Sequence, residues 1–236
     1  MALRIELLVI PECPHAERAE QLLLRVTARL LPKTDIARTV VRSKEEAERL
    51  AFPGSPTVRI NGEDVVGLDA APPAFACRRY EGGEGVPPEW LLEARILRAL
   101  RPRHLLFLCV ANSARSQMAE AIARSLAPEG VRVSSAGSAP SRVNPFAIRA
   151  LDQIGLDASG QSSKGIDELR ETEGRDVDAV ITLCAEEVCP VWLGQACRLH
   201  WPLPDPAAAA GSEDQILESF RTVREELSRR LNALLG

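Results

Sequence analysis

The sequence predicts an α/β protein of two domains, the second built on a parallel sheet with helices on both faces. From residue 105 onward, short apolar runs alternate with helix-length stretches, and this alternation is typical of a parallel sheet covered by helices. The preceding part instead shows a strand, a helix and the signature of a hairpin. A chain of 236 residues is long enough for two domains. We place them at residues 1–102 and 103–236, with the boundary near 101–104.

Composition and charge narrow the possible functions. Hydrophobic residues make up 45% of the chain and charged residues 26%, near the averages of globular proteins. The formal net charge is −4 and no long basic block occurs, so there is no electrostatic footprint for nucleic acid. The N-terminus reads as a strand followed by acidic residues rather than as a secretion signal, and no apolar run approaches the ~18 residues of a membrane span. We therefore expect a cytoplasmic protein with no nucleic-acid or membrane partner.

The N-terminal domain begins with a strand that is followed by a cysteine at the start of a helix. Residues 4–10, RIELLVI, read as the strand, and a helix-period stretch follows Cys13-Pro14. A cysteine at a helix N-terminus lies in the positive field of the helix dipole, which favours the thiolate. Cys13 is therefore a candidate nucleophile or soft-metal ligand. Six cysteines without a signal peptide also favour catalytic, redox or metal-binding roles over a secreted disulfide framework.

Further along, Gly-Ser-Pro precedes a strand and Asn61-Gly62 predicts a hairpin turn. This order resembles a thioredoxin-like domain over about residues 1–100. The resemblance implies that Pro56 is a cis-proline facing Cys13. Thioredoxins carry a Cys-x-x-Cys pair, whereas Ala16 holds the second position here and Cys77 is the other cysteine of the domain. Cys13, Cys77 and Pro56 form a candidate redox site, and the alternative is that both cysteines only pack.

The segment CVANSAR, Cys109 to Arg115, lies between the apolar run LLFL and a helical stretch. Such a loop can direct successive backbone N–H groups at a tetrahedral oxyanion, with the helix dipole aimed at the same point and the arginine as a clamp. The same field favours a thiolate, so Cys109 can attack the anion that the loop binds. Asn112 suits a left-handed conformation, and the Ser116 hydroxyl can donate to the sulfur. The predicted oxyanion-binding loop comprises Val110, Ala111, Asn112, Ser113 and Ala114, and the alternative is a packed turn.

Several separated motifs of the second domain resemble the low-molecular-weight tyrosine phosphatase superfamily and, within it, the thioredoxin-coupled arsenate reductases. They cover residues 105–236 nearly end to end. The resemblance implies a three-layer α/β/α fold with a four-stranded parallel sheet. The motifs are CVANSARSQMAEA, SSAGSAP, NPFAIRAL, SGQSSKGIDEL, VITLCAEEVCP and HWPLPDPA.

The resemblance also implies a cysteine relay. Cys109 would attack arsenate, and Cys184 would attack the adduct and release arsenite. Cys189 would then form an accessible disulfide with Cys184. Asp205, which follows a strand, would protonate the leaving oxygen. No cofactor would be bound, and thioredoxin, glutathione or mycothiol would supply the electrons. We also hypothesise that the N-terminal domain passes reducing equivalents to this disulfide or accepts arsenite.

Three alternatives remain open. The first is a low-molecular-weight phosphatase, although the stretch after Asp205 lacks the aromatic residues that commonly stack on phosphotyrosine in that family. The second is a protein that sequesters or senses arsenic without turnover. The third is a structural zinc site at Cys184, Cys189, Cys197 and His200, whose spacing fits known zinc sites only in part; we expect no metal.

Two departures from the arsenate reductase pattern stand out. Cys184 and Cys189 are five positions apart, closer than in the reductases, so Cys197 is a conceivable alternative partner in the relay. By resemblance, the potassium-binding members of the family carry an acidic residue at the position of Lys164. The Lys164 ammonium could replace the potassium ion. We therefore expect no potassium requirement. Gln161 and Lys164 are predicted to support the oxyanion-binding loop.

Overall fold

The computed structural model describes residues 3–32, 34–67, 71–172, 176–185 and 188–236. The chain divides into two compact units, Met1–Leu100 and Arg101–Gly236, and each contains a four-stranded sheet. The predicted boundary lies two residues further along the chain. Within the described ranges, no helix is both long and apolar enough to cross a membrane.

The first unit has a mixed sheet in the order β2-β1-β3-β4. The pairing of β1 with β2 is parallel, whereas β1 with β3 and β3 with β4 are antiparallel. The strands are β1 (Ile5–Val9), β2 (Ile36–Val40), β3 (Thr57–Ile60) and β4 (Glu63–Asp64). The helices are α1 (Ala16–Leu30), α2 (Lys44–Arg49) and α3 (Glu89–Leu100), with a 3-10 turn at Glu81–Gly83.

Local sequence explains two features of this unit. Asn61 and Gly62, with φ angles of 53° and 88°, form the predicted tight turn between β3 and β4, because both residues tolerate the left-handed region. Helix α1 buries one apolar face with a helical period, and it packs on β1 and α3. The Ser55–Pro56 peptide bond is cis. These features agree with the thioredoxin-like prediction.

The second unit has a parallel sheet in the order β6-β5-β7-β8. Its strands are β5 (His104–Cys109), β6 (Arg132–Gly137), β7 (Ala179–Thr182) and β8 (Cys197–His200). Its helices are α4 (Arg115–Leu126), α5 (Pro145–Asp152), α6 (Ile166–Thr172) and α7 (Glu213–Leu235), with a 3-10 turn at Pro206–Ala208.

Strand β5 is buried along its whole length, because helices cover both faces of the sheet. Leu106 and Leu108 pack in one cluster with Leu169 of α6 and with Trp192. Helix α4 contacts β5 and β6 and also packs against α5 and α7. The predicted three-layer fold with four parallel strands is therefore confirmed. In such sheets, functional groups gather at the carboxyl ends of the strands.

Candidate active site

Strand β5 ends at Cys109, whose side chain is only 2% exposed. Helix α4 begins at Arg115, so the five residues between them form the loop that the sequence predicted. The Cys109 Sγ lies 2.9 Å from the Ser116 Oγ. The Asn112 side-chain amide donates to the same oxygen at 2.8 Å. Because the oxygen already accepts this bond, the hydroxyl hydrogen is available to donate to the sulfur.

Asn112 fixes the conformation of the loop. It is fully buried and has a φ of 44°, in the left-handed region that asparagine tolerates. Its amide donates to the hydroxyls of Ser116 and Ser135. Its carbonyl oxygen accepts from the Lys164 backbone N–H at 2.7 Å and from Gln117 at 3.0 Å. The amide therefore uses both hydrogens and accepts two bonds, and it connects the loop to α4, to β6 and to the segment before α6.

The backbone of the loop packs against the end of β6. A Cβ atom at Gly137 would lie 2.3 Å from the Val110 carbonyl oxygen and 2.8 Å from the Asn112 nitrogen, so only glycine permits this approach. The Val110 and Ala111 carbonyls accept from Ala139 and Ser141. These bonds direct the Val110 and Ala111 carbonyls toward the 139–141 segment.

Arg115 and Asp205 meet at the carboxyl edge of the sheet. The Arg115 side chain is 4% exposed, and its Nη2 lies 3.4 Å from the Asp205 Oδ2. Its Nη1 donates to the Leu203 carbonyl at 3.1 Å. The other Asp205 oxygen accepts from the Ala207 N–H, which fixes the carboxylate at the start of the 3-10 turn. A cation and a half-exposed carboxyl group are thus placed side by side.

Cys184 lies beside Cys109, because β7 pairs with β5 and the Leu183 N–H donates to the Leu108 carbonyl. The Cys184 side chain is buried. Burial raises the pKa of its thiol to about 12, and a hydrogen bond with Cys189 and the charges of Cys189 and Cys109 act in the same direction, while the Arg115 charge opposes them. Cys189 is only partly buried. The structure therefore brings three thiols and the guanidinium to one place.

Lys164 contacts Glu120, the buried carboxylate of the hydrogen-bond network around Asn112. Its ammonium lies 3.6 Å from a carboxylate oxygen of Glu120, a residue that is fully buried on α4. Glu120 also pairs with Arg124 and accepts from the Ser135 hydroxyl. Two cations and a hydroxyl thus compensate the buried carboxylate, and Ser135 continues the network to Asn112. Gln161 contributes one bond, from its amide to the Gln117 carbonyl at 3.3 Å.

Residues 104–236 match the family described as Low molecular weight phosphotyrosine protein phosphatase. The match covers more than half of the chain. The chain belongs to this family. The predicted resemblance of the second domain is confirmed, and the first unit lies outside the matched range, so its thioredoxin-like assignment stays a prediction.

Proteins similar to this chain are named arsenate reductases. An "Arsenate reductase" of Halalkalibacterium halodurans is 41% identical over 128 residues, which are 53% of this chain and 89% of that protein. A "Glutaredoxin arsenate reductase" of Synechocystis sp. is 38% identical over 136 residues, 57% of this chain and 97% of that protein. A solved structure titled "An arsenate reductase in the phosphate binding state" is 38% identical, covers 56% of this chain and 96% of its own, and has a TM-score of 0.47.

Sequence reasoning missed four residues of this family member's site. Gln117 and Glu120 are polar residues on the buried face of α4, Ser135 is a polar residue in a buried strand, and Gly137 ends that strand. A polar residue in a run that is otherwise buried is a signal that could have identified the first three. Gly137 and Val110 are 27 residues apart in the sequence, so no local sequence pattern predicts their contact.

The register of the sheet places Cys197 away from Cys109 and Cys184. Cys197 pairs with Ala179 at the amino end of β7, whereas Thr182 pairs with His200 at the carboxyl end. Three residues of strand amount to about 10 Å, and Cys184 follows the carboxyl end of β7, so Cys197 lies at the opposite end of the strands from Cys184. This register does not favour Cys197 over Cys189 as a partner of Cys184, and the suggestion stays a hypothesis. Among the residues that the structure describes, no group of three or more histidine, cysteine or acidic side chains could hold a metal ion.

Two of the three candidate residues of the first unit, Cys77 and Pro56, lie near each other in its fold. Cys13 precedes α1 by three positions and is partly buried, and Cys77 is exposed. Cys77 pairs through an isolated parallel bridge with Ser55, the residue before cis-Pro56. Cys77 thus lies beside the cis-proline, and the prediction that Cys13 shares a redox site with these residues stays a prediction.

Proposed function

We propose that this protein reduces arsenate to arsenite through a relay of Cys109, Cys184 and Cys189. The observation that carries the proposal is the position of Cys184, which is buried beside the nucleophile and hydrogen-bonded to Cys189. A phosphatase needs the nucleophile, the arginine and the acid, but it has no use for two further thiols. A reduction needs two electrons, and a thiol pair supplies them when it becomes a disulfide. The names of the similar proteins support the same reaction.

In the first step the Cys109 thiolate attacks arsenate bound in the loop of residues 110–114. The loop N–H groups and the Arg115 guanidinium compensate the negative charge of the anion. Asp205 donates a proton to an arsenate hydroxyl group, which leaves as water, and a sulfur–arsenic bond forms. Because the pKa of Cys184 is raised to about 12, this second cysteine stays protonated at neutral pH and does not compete for the anion.

In the second step Cys184 gives its proton to an oxygen of the bound arsenic and attacks the Cys109 sulfur, so that a Cys109–Cys184 disulfide forms. The sulfur–arsenic bond breaks and its electron pair stays on arsenic, so arsenic(V) becomes arsenic(III) and arsenite leaves. Cys189 then attacks the Cys184 sulfur, releases the Cys109 thiolate and leaves a Cys184–Cys189 disulfide. Since Cys189 is partly exposed, an external thiol system can reduce this disulfide. Thioredoxin, glutathione and mycothiol are the candidate reductants.

The test is arsenate-dependent turnover with purified thiol systems, run beside hydrolysis of p-nitrophenyl phosphate. Wild type is compared with Cys109→Ser, Cys184→Ser and Cys189→Ser, and Cys197→Ser is the matched control. We expect each of the first three variants to abolish arsenate turnover and Cys197→Ser to retain it. The relay is wrong if arsenate gives no turnover while phosphate-ester hydrolysis depends on Cys109 and is indifferent to Cys184 and Cys189. That result would favour a phosphatase.

A further inference from the structure

The segment of residues 188–194 carries Cys189, and most of its apolar side chains are exposed. Trp192 is instead only 3% exposed, and it packs in one cluster with side chains of β5, β6, β7 and α6. This aromatic side chain therefore attaches an otherwise exposed segment to the core of the unit. The exposed apolar residues, each at least 70% exposed, are Val188, Val191 and Leu193.

Further contacts hold Trp192 in this position, and we call Trp192, Gly194 and Arg198 the anchor. The Arg198 Nη2 donates to the Trp192 carbonyl at 2.9 Å and to the Gly194 carbonyl at 2.8 Å. A Cβ atom at Gly194 would overlap the Trp192 Nε1 atom, so the edge of the indole lies against the Gly194 backbone. The Arg170 guanidinium of α6 lies 5.1 Å from the centroid of the same ring, within the range of a cation–π contact. Both the backbone and the side chain of Trp192 are therefore held.

Cys189 lies between two held points of the chain. Cys184 is buried after the end of β7, where the Leu183 N–H donates to the Leu108 carbonyl. Trp192 is the third residue after Cys189, and three residues of chain span at most about 11 Å. A hydrogen bond with Cys189 contributes to the raised pKa of Cys184, so the two thiols are neighbours in the reduced protein. The anchor limits how far Cys189 can move away from Cys184.

We infer that Arg198 is a positioning residue: through the anchor it keeps Cys189 close to Cys184 and sets the reduction potential of this pair. The inference rests on the proposed function only for the pairing of these two cysteines. When the pair becomes a disulfide, it gives up two electrons and two protons, and a small disulfide takes them up to become two thiols. Holding the second thiol nearby lowers the entropy cost of closing the ring, so a loosened anchor should favour the dithiol.

The test measures the reduction potential of the pair in the full chain. The parent protein carries Cys109→Ser and Cys197→Ser, so that Cys184 and Cys189 are the remaining cysteines of the second unit. Each protein is equilibrated in buffers of reduced and oxidised glutathione, alkylated and digested with trypsin without reduction. The tryptic peptide that begins at residue 176 contains both cysteines, and its mass distinguishes the disulfide from the doubly alkylated dithiol.

Two variants loosen the anchor from different sides. Arg198→Met removes the two bonds to the carbonyls, and Gly194→Ala places a Cβ atom against the indole. Each should lower the equilibrium constant for disulfide formation by about tenfold, which makes the potential about 30 mV less negative. Leu193→Ala is the matched control in the same segment, because this side chain is 77% exposed, and its equilibrium constant should stay within about twofold of the parent.

A potential compares the oxidised and reduced forms of one variant, so a loss of stability that is equal in both forms leaves it unchanged. The inference is overturned if the equilibrium constant of Arg198→Met or Gly194→Ala stays within about twofold of the parent, or if Leu193→Ala shifts it as far as they do. Arsenate takes no part in this experiment. A chain that shows the expected shifts but does not reduce arsenate would therefore contradict the proposed function alone, whereas a parent that forms no Cys184–Cys189 disulfide would contradict both.

Discussion

Two cysteines that are neighbours in the second unit are given opposite surroundings. Cys109 lies at the amino end of α4, against a hydroxyl that donates to its sulfur. Cys184 is buried among other thiols, and burial raises its pKa. In the proposed relay, this difference assigns an order to two chemically identical groups, since Cys109 attacks the anion and Cys184 stays neutral until its own step.

Labelling of the reduced protein should reveal the raised pKa of Cys184. Because the thiolate is the reactive form, its alkylation rate rises tenfold per pH unit below the pKa, and for Cys184 this rise should continue past pH 9, toward about 12. The folded state also holds this proton more tightly than the unfolded chain, so the contribution to stability is present below pH 9 and is lost as the pH rises through about 12. Iodoacetamide labelling between pH 7 and pH 10, read by tandem mass spectrometry, checks the first expectation.

The exposed Cys77 in the same samples controls for reagent quality. A Cys184 labelling rate that levels off below pH 10 would contradict the assigned surroundings.

At the scale of elements, the oxyanion-binding loop depends on the end of β6. Gly137→Ala should lower kcat/KM for arsenate by about a hundredfold, because its Cβ would overlap the Val110 carbonyl and displace the loop that positions the anion. Gly160→Ala is the matched control, since a Cβ there meets nothing within 4 Å, and its kcat/KM should stay within about twofold of wild type. Steady-state kinetics of the two variants measure kcat/KM for arsenate. Equal losses of kcat/KM in both variants would show that the contact of Gly137 with Val110 has no role.

The ion pair between Lys164 and Glu120 connects the segment before α6 with α4. Because the ammonium already compensates a fully buried carboxylate, potassium should not raise turnover over sodium at equal ionic strength. Lys164→Met should lower the free energy of unfolding by about 1–3 kcal/mol, since Glu120 keeps Arg124 but loses one partner. Urea unfolding measures this loss of free energy. The control is Lys44→Met, because Lys44 is exposed. Marked activation of wild type by potassium would refute this role of Lys164.

Elements and strand-end residues could be predicted from the sequence because their signals are local. The apolar run that ends at Cys109, the helix that starts at Arg115 and the turn at Asn61-Gly62 are each contained in a few consecutive residues. The pairing of Lys164 with Glu120 and the contact of Gly137 with the loop are not, since they depend on how distant segments pack. Register likewise decides that Cys197 lies far from Cys109, and register cannot be read from cysteine spacing.

At the scale of the whole molecule, the two units have separate sheets and separate cores. We propose that residues 103–236 form an independent domain. A domain that begins at Arg103 keeps two hydrogen bonds at the edge of the sheet. The Arg103 carbonyl accepts from the Arg132 N–H at 2.7 Å, and the Arg103 N–H donates to the Asp178 carboxylate at 2.6 Å.

A fragment of residues 103–236 should therefore fold and keep kcat/KM for arsenate within about threefold of the full chain when an external thiol is saturating. Circular dichroism and turnover measure the two properties, and the same fragment with Cys109→Ser serves as the blank. A fragment that folds but does not turn over arsenate would show that the first unit takes part in the reaction.

The burial of β5 should slow the exchange of its amide hydrogens as well as fix the position of Cys109. All six of its residues are buried and it lies between β6 and β7, so its amide hydrogens should exchange with solvent only when the whole unit opens. Cys189 instead lies next to Val188, which is 92% exposed, in a segment where exchange should be fast. In the proposed relay, the first thiol would therefore stay in place over many catalytic cycles, while the last would change its surroundings within each one.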